Sequence, residues 1–148
     1  MSLSRQSTPL NPPSVPAPQP QFSQINTLTI QPGDKLIAIT GQLAIQPNPE
    51  DPVPTGFEEQ VWLALQNLEN CLKAAGASKR HIFKVTHHVV DFDYEKQNPA
   101  KVFIEWLESE SGLKDFRPAS AMLPVQRLAG PGLMYEIETW AVVPAHAQ

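Results

Sequence analysis

The sequence predicts an α+β domain in which one β-sheet carries two helices on a single face. Three observations lead there. Two stretches hold apolar residues at a 3.6-residue period, five others are β-rich with a period of two, and the elements run in the order ββαβαββ. At 148 residues the chain suffices for one domain with a proper core and is short for two.

The first 21 residues hold Pro9, Pro12, Pro13, Pro16, Pro18 and Pro20 among polar neighbours. Such a composition closes no core and favours extended, polyproline-like backbone, so residues 1–21 are expected to form an arm lying on the domain or on a neighbouring subunit, and residues 22–148 the domain itself. Ile25 to Ile30 and Leu36 to Gln42 read as strands joined by a Gln-Pro-Gly-Asp turn. After a proline-rich loop, Thr55 and Glu58 have the spacing of a capping box. The helix that follows aligns Phe57, Val61, Ala64, Leu65, Leu68, Cys71, Leu72 and Ala75 on one stripe, with Gly76 as its C-terminal cap.

The segment HIFKVTHHVVDF alternates as a strand, with Phe83, Val85, His87 and Val89 on one face and Lys84, Thr86 and His88 on the other. Asn98-Pro99 reads as cap and first turn of a second helix, whose buried side is Val102, Phe103, Trp106 and Leu107. Two last strands, Ala119 to Val125 and Leu133 to Val143, read as a hairpin about Ala-Gly-Pro-Gly. With both helices on one side, the other sheet face is expected to carry Met122, Met134 and Trp140, too apolar for water, so self-association is the natural cover.

Composition narrows the function. The net charge is −4 and the 11 basic residues are scattered, with Lys79-Arg80 the one adjacent pair, so the basic stripe of a nucleic-acid binder is missing and such a partner is not expected. No apolar run approaches the ~20 residues of a membrane span, and the N-terminus has neither the apolar core of a signal peptide nor the arginines of a transit peptide, so a cytoplasmic location is expected. The lone Cys71 sits on the helix stripe and reads as a buried thiol. Adjacent His87 and His88 point to opposite faces of a strand and cannot share an ion, while His81 and His146 add no metal spacing; no metal and no cofactor is expected. One of the two strand histidines should be half-buried and the other exposed.

Glu136 and Glu138 share a strand face with Met134, Trp140 and Val142. A carboxylate beside apolar groups can shuttle protons to a water or a substrate; the alternative is an ion pair with Arg117 or Arg127, or a cross-strand hydrogen bond.

The run FEEQVWLALQNLENCLKAAGASKRHIFKVTHHVVDF, the segment Ile39-Thr40-Gly41-Gln42 and the C-terminal RPASAMLPVQRLAGPGLMYEIETWAVV resemble the Rid family, the YjgF-type reactive-intermediate deaminases, in order from about Phe22 to Val143. The resemblance implies a chorismate-mutase-like fold, homotrimers whose sheets form a barrel, and small-molecule pockets at the subunit interfaces, where imines or enamines are hydrolysed. It places Glu136 as the glutamate that holds the attacking water and sets Thr40 and Asn98 at pocket positions, leaving Glu138 to a structural hydrogen bond or ion pair.

The family's carboxylate-clamping arginine falls on Ser120, its pocket cysteine on Met122 and its pocket tyrosine on Phe22. A hydroxyl cannot supply bidentate charge pairing, so the expected substrate is an imine or enamine other than a small 2-imino acid. Arg117 either swings into the pocket as a substitute clamp or, as a residue ahead of a proline at a strand start, faces solvent, which is the commoner case. A non-catalytic small-molecule binder or protein-protecting factor is the alternative. An endoribonuclease or translation inhibitor fits the acidic balance least.

Overall fold

A computed structural model describes residues 7–145, which leaves His146 outside the described residues. In chain order the elements are β1 (Thr8–Leu10), β2 (Ile25–Thr27), β3 (Lys35–Leu43), α1 (Phe57–Ala74), a 3-10 turn at Lys79–His81, β4 (Ile82–Val90), α2 (Pro99–Glu108), β5 (Ala119–Val125) and β6 (Tyr135–Val143). The main sheet has the order β3-β6-β4-β5. β6 runs antiparallel to both β3 and β4, and β4 lies parallel to β5.

Both helices pack on one face. Val61, Ala64, Leu65, Leu68 and Leu72 of α1 and Val102, Phe103, Trp106 and Leu107 of α2 share a core with Ile39, Val85, Val89, Tyr135, Ile137 and Ala141 of the sheet. The α+β architecture with its helices on one side is therefore as the periodicities predict.

Several local expectations are corrected. The last two strands are not a hairpin: β4 lies between them. A parallel β4–β5 pair needs a crossover, which α2 provides, and β6 then takes the other edge of β4. The strand expected from Ile25 to Ile30 stops at Thr27 and pairs with β1 of the arm instead of the main sheet, Thr8 facing Thr27 and Leu10 facing Ile25. Pro9 is tolerated because the ribbon has an open edge. Gln24 secures the fold-back, its backbone N–H donating to Asn11 Oδ1 (2.8 Å) and its side chain to Pro16 O (2.8 Å).

The capping box at Thr55 does not form. Helix α1 begins at Phe57 with Gly56 as its N-cap, so Glu58 is one position short of the return bond. Glu59 bends over Gly56 instead, and a Cβ there would lie 1.8 Å from its Oε2. Gly76, at φ +74°, does end α1, and Asn98 caps α2 by accepting from Lys101 N (3.0 Å). Cys71 is half-buried against the core. Met122 lies on the helix side, packed on the core, and not on the open face. Met134 precedes β6, its N–H donating to Gln60 Oε1 (2.8 Å).

The histidines also differ from expectation: His87 is fully buried and His88 half-buried. The His87 ring shares a 2.7 Å hydrogen bond with the Tyr135 hydroxyl and meets Phe103 edge-on. Burial, helped by neighbouring His88, draws the His87 pKa from 6.5 down to about 4. An unfolded chain binds a proton here below pH 6.5 that the folded chain refuses until about pH 4. Stability is therefore complete above that window and falls by about 1.4 kcal/mol per pH unit as pH drops through it. Urea titrations of wild type should show this loss, while His87→Leu/Tyr135→Phe, which removes both partners together, should flatten it by about one proton. Parallel curves would exclude His87 as the cause.

Candidate functional site

The face of the sheet turned away from the helices is built by alternation. It presents Leu36, Ala38 and Thr40 from β3, Glu136, Glu138 and Trp140 from β6, Thr86 and His88 from β4, and Ala121 and Leu123 from β5. Leu36 is 64%, Leu123 46% and Trp140 40% exposed, an apolar surface without cover in one chain.

Glu136 occupies a distinct place on this face. β3 bulges between Ile39 and Gln42, and the Glu136 carboxylate lies over Gly41 inside that bulge. A Cβ on residue 41 would stand 1.6 Å from Glu136 Oε1 and 2.8 Å from its Cγ, so any larger residue there displaces the Glu136 side chain from this seat. His88 faces Glu136 across the β4–β6 pair, and its buried Nδ1 has no hydrogen-bond partner among the described residues. Glu136 is half-buried and, among the described residues, forms no ion pair or hydrogen bond. Glu138 is exposed opposite Thr86 and likewise makes neither there, so the structural bond expected of it is not formed.

Two carboxamides on α1 hold this arrangement from below. Gln60, fully buried, donates to Pro54 O and Gly132 O at 2.8 Å each and accepts from Met134 N, which anchors the entry to β6. Asn67 donates to Leu43 O (2.9 Å) and Ile45 O (2.8 Å), anchoring the exit of β3.

The other residues singled out from the sequence lie elsewhere. Ser120 and Met122 pair with Val85 and His87, so they face the helix side of edge strand β5. Met122 and Asn98 line one cleft of about 400 Å³, together with Gln19 and Gln21 of the arm. Phe22 follows Gln21 and is half-buried, as is Ser120.

Arg117 is engaged in structure. Its Nε donates to Pro20 O (2.8 Å), its Nη1 to Phe116 O (2.8 Å), and its Nη2 pairs with Glu108. Within one chain, then, Thr40 and Glu136 share the open face, Asn98 and Met122 share the cleft, and the two groups lie on opposite sides of the sheet. Gly41 and His88 were not singled out as site residues; a glycine inside a strand is itself a bulge signal.

Among the described residues no cluster of three His, Cys, Asp or Glu side chains can hold a metal, and no helix is long and apolar enough to cross a membrane. Residues 14–143 match the family model described as endoribonuclease L-PSP. The chain belongs to that family, the YjgF/Rid proteins.

This Rid-family chain is 34% identical to the 2-iminobutanoate/2-iminopropanoate deaminase of Bos taurus over 110 residues, 74% of each protein. The Mus musculus protein of that name is 37% identical over 60 residues, 40% of this chain and 44% of its own; the match thus spans less than half of the mouse relative. Among solved structures, the Rid protein YyfB of Yersinia pestis superposes with a TM-score of 0.76 at 26% identity, covering 92% of this chain and 98% of its own. A Thermotoga maritima protein described as a putative endoribonuclease gives 0.64 at 25% identity, with 97% and 99% covered.

The close approach at the bulge is testable by a double-mutant cycle. Gly41→Ala should destabilise wild type by about 1–2 kcal/mol because the Glu136 side chain must be displaced, and should be neutral or stabilising in a Glu136→Ala background. Equal effects in both backgrounds would show that the two groups do not meet.

Proposed function

We propose that this chain hydrolyses an imine or enamine to a carbonyl compound and ammonia, with Glu136 as the proton-transfer group. The observation that carries this is the Glu136 carboxylate, seated over Gly41 on an open sheet face with no cation or donor engaging it among the described residues. A carboxylate left unneutralised in a partly apolar setting is suited to take a proton from water. Hydroxide adds to the imine carbon as Glu136 returns the proton to the nitrogen, which gives a neutral amino alcohol; the hydroxyl proton then passes through Glu136 to the nitrogen, and ammonia leaves as the carbonyl forms. In sum, one imine and one water give one carbonyl compound and one ammonia, with no change of oxidation state, and the reaction calls for no cofactor. The deaminase relatives support the reaction class.

In this reading the pocket forms between subunits of a homotrimer. Glu136 and Thr40 of one chain meet Asn98, Met122, Ser120 and Phe22 of the next, which agrees with their opposite faces in a single chain and with the uncovered Trp140, Leu36 and Leu123. The substrate differs from the small 2-imino acids of the relatives' names because no arginine stands at Ser120 and because Arg117 is held by Pro20 O and Glu108. That removes the substitute clamp as well.

Glu136→Gln should reduce ammonia release roughly a hundred-fold or more while leaving the oligomer unchanged by light scattering; retained turnover would sink the assignment of the base. With 2-iminobutanoate generated in place by an amino-acid oxidase, wild type should be weak, and Ser120→Arg should raise kcat/KM about tenfold or more by restoring a charged carboxylate contact. A fast wild type with no gain in the variant would show that the carboxylate is bound by another group.

A further inference from the structure

The proline-rich arm is a built element with a defined seat. Its strand β1 pairs with β2, Gln24 fastens it at Asn11 and Pro16, and Ser23 N donates to Pro118 O (3.3 Å) just before β5. The strongest fastening is Arg117, whose Nε reaches Pro20 O while Glu108 and the carbonyls of Phe116 and Lys114 hold the rest of the guanidinium. Only 16% of the Arg117 side chain is exposed, so this is a partly desolvated latch.

Pro20 stands between Gln19 and Gln21, and both glutamines line the 400 Å³ cleft with Met122 and Asn98. None of the residues lining that cleft is charged. Its polar side chains are the carboxamides of Gln19, Gln21, Gln97 and Asn98 and the Tyr94 phenol, while Phe92, packed edge-on against the Tyr94 ring at 4.5 Å, and Met122 make the apolar part. Gln97 and Asn98 use their oxygens on Asp93 N and Lys101 N. Their amide N–H groups are left as donors, and among the described residues the Gln19 and Gln21 side chains have no partner.

We propose that the arm, latched by Arg117, is a wall of this cleft, and that the cleft takes a small uncharged molecule with an aromatic or apolar body and a carbonyl-type acceptor. Carboxamide donors satisfy a neutral carbonyl as fully as water does, whereas a carboxylate entering here gives up water without meeting a charged side chain, and the positive end of α2 is already engaged by Asn98, which accepts from Lys101 N. The arm thus sets both the size and the charge preference of the cleft. This deepens the proposed function by naming its substrate class, but it concerns binding and is tested without turnover.

Benzamide and benzoate differ in charge and hardly in shape. Titrated into the full-length protein and followed by chemical-shift changes of the side-chain amides, benzamide should bind at least tenfold tighter than benzoate. Arg117→Gln and Gln19→Ala/Gln21→Ala should each weaken benzamide at least fivefold, with circular dichroism and oligomeric state unchanged. Neither probe is turned over, so this titration tests the cleft alone, while ammonia release by Glu136→Gln tests the catalytic reading alone. Benzoate binding as tightly as benzamide, affinity indifferent to the arm variants, or no binding of either probe at millimolar concentration would each overturn it.

Discussion

Everything about this molecule depends on the alternation of β6. It is hydrogen-bonded on both edges, to β3 and to β4, so its register cannot slip without moving every side chain to the wrong face. Tyr135, Ile137, Thr139 and Ala141 are wholly buried beneath the helices, and the residues between them, Glu136, Glu138 and Trp140, are thereby forced outward. The core and the candidate site are thus two readings of one nine-residue strand.

The same coupling runs through the ends of the neighbouring strands. Gln60 and Asn67 lie on α1, whose apolar stripe fills the core, and each spends its carboxamide on backbone carbonyls beside the bulge or the β6 entry. Positioning of Glu136 over Gly41 therefore derives from helix packing and not from any bond to the carboxylate itself. Such an arrangement leaves the carboxylate free while its support is over-determined. The His87–Tyr135 pair sits directly behind this face as a satisfied polar contact within the core.

How much of this was legible in the sequence follows from the range of the forces involved. Helix stripes and strand alternation are local, so α1, α2 and the outward direction of Glu136, Glu138 and Trp140 could be read directly. Pairings between distant segments could not. Thr8 meets Thr27 through backbone groups that leave no periodic trace in a proline-rich stretch, and Arg117 meets Pro20 across 97 residues. The misreading of β5 and β6 as a hairpin has a different origin. Ala-Gly-Pro-Gly is a true turn signal, but the order β4-α2-β5 already implied a parallel crossover and left β6 the far edge of β4. Met122 followed the same error, since pairing β5 with β4 assigns it to the helix side. Gly56, one place after Thr55, is the N-cap of α1, and Glu59 folds into the space a side chain there would need.

The placement of the candidate residues on two faces ties chemistry to assembly. A sheet is one layer thick, so a molecule touching Met122 and Asn98 in the cleft cannot also touch Glu136 of the same chain without passing through β6 and β4. Under the proposed function the two groups come from different copies, and the exposed Trp140, Leu36 and Leu123 supply the apolar area that brings those copies together. The arm belongs to the cleft half and not to the glutamate half. Changes in Gln19, Gln21 or Arg117 can then alter which molecules enter without disturbing the carboxylate, and changes at Gly41 or His88 can alter the carboxylate without altering what enters. Under that proposal binding and proton transfer are divided between opposite sides of one sheet, which would let a small domain with a single core vary its substrate while keeping its reaction.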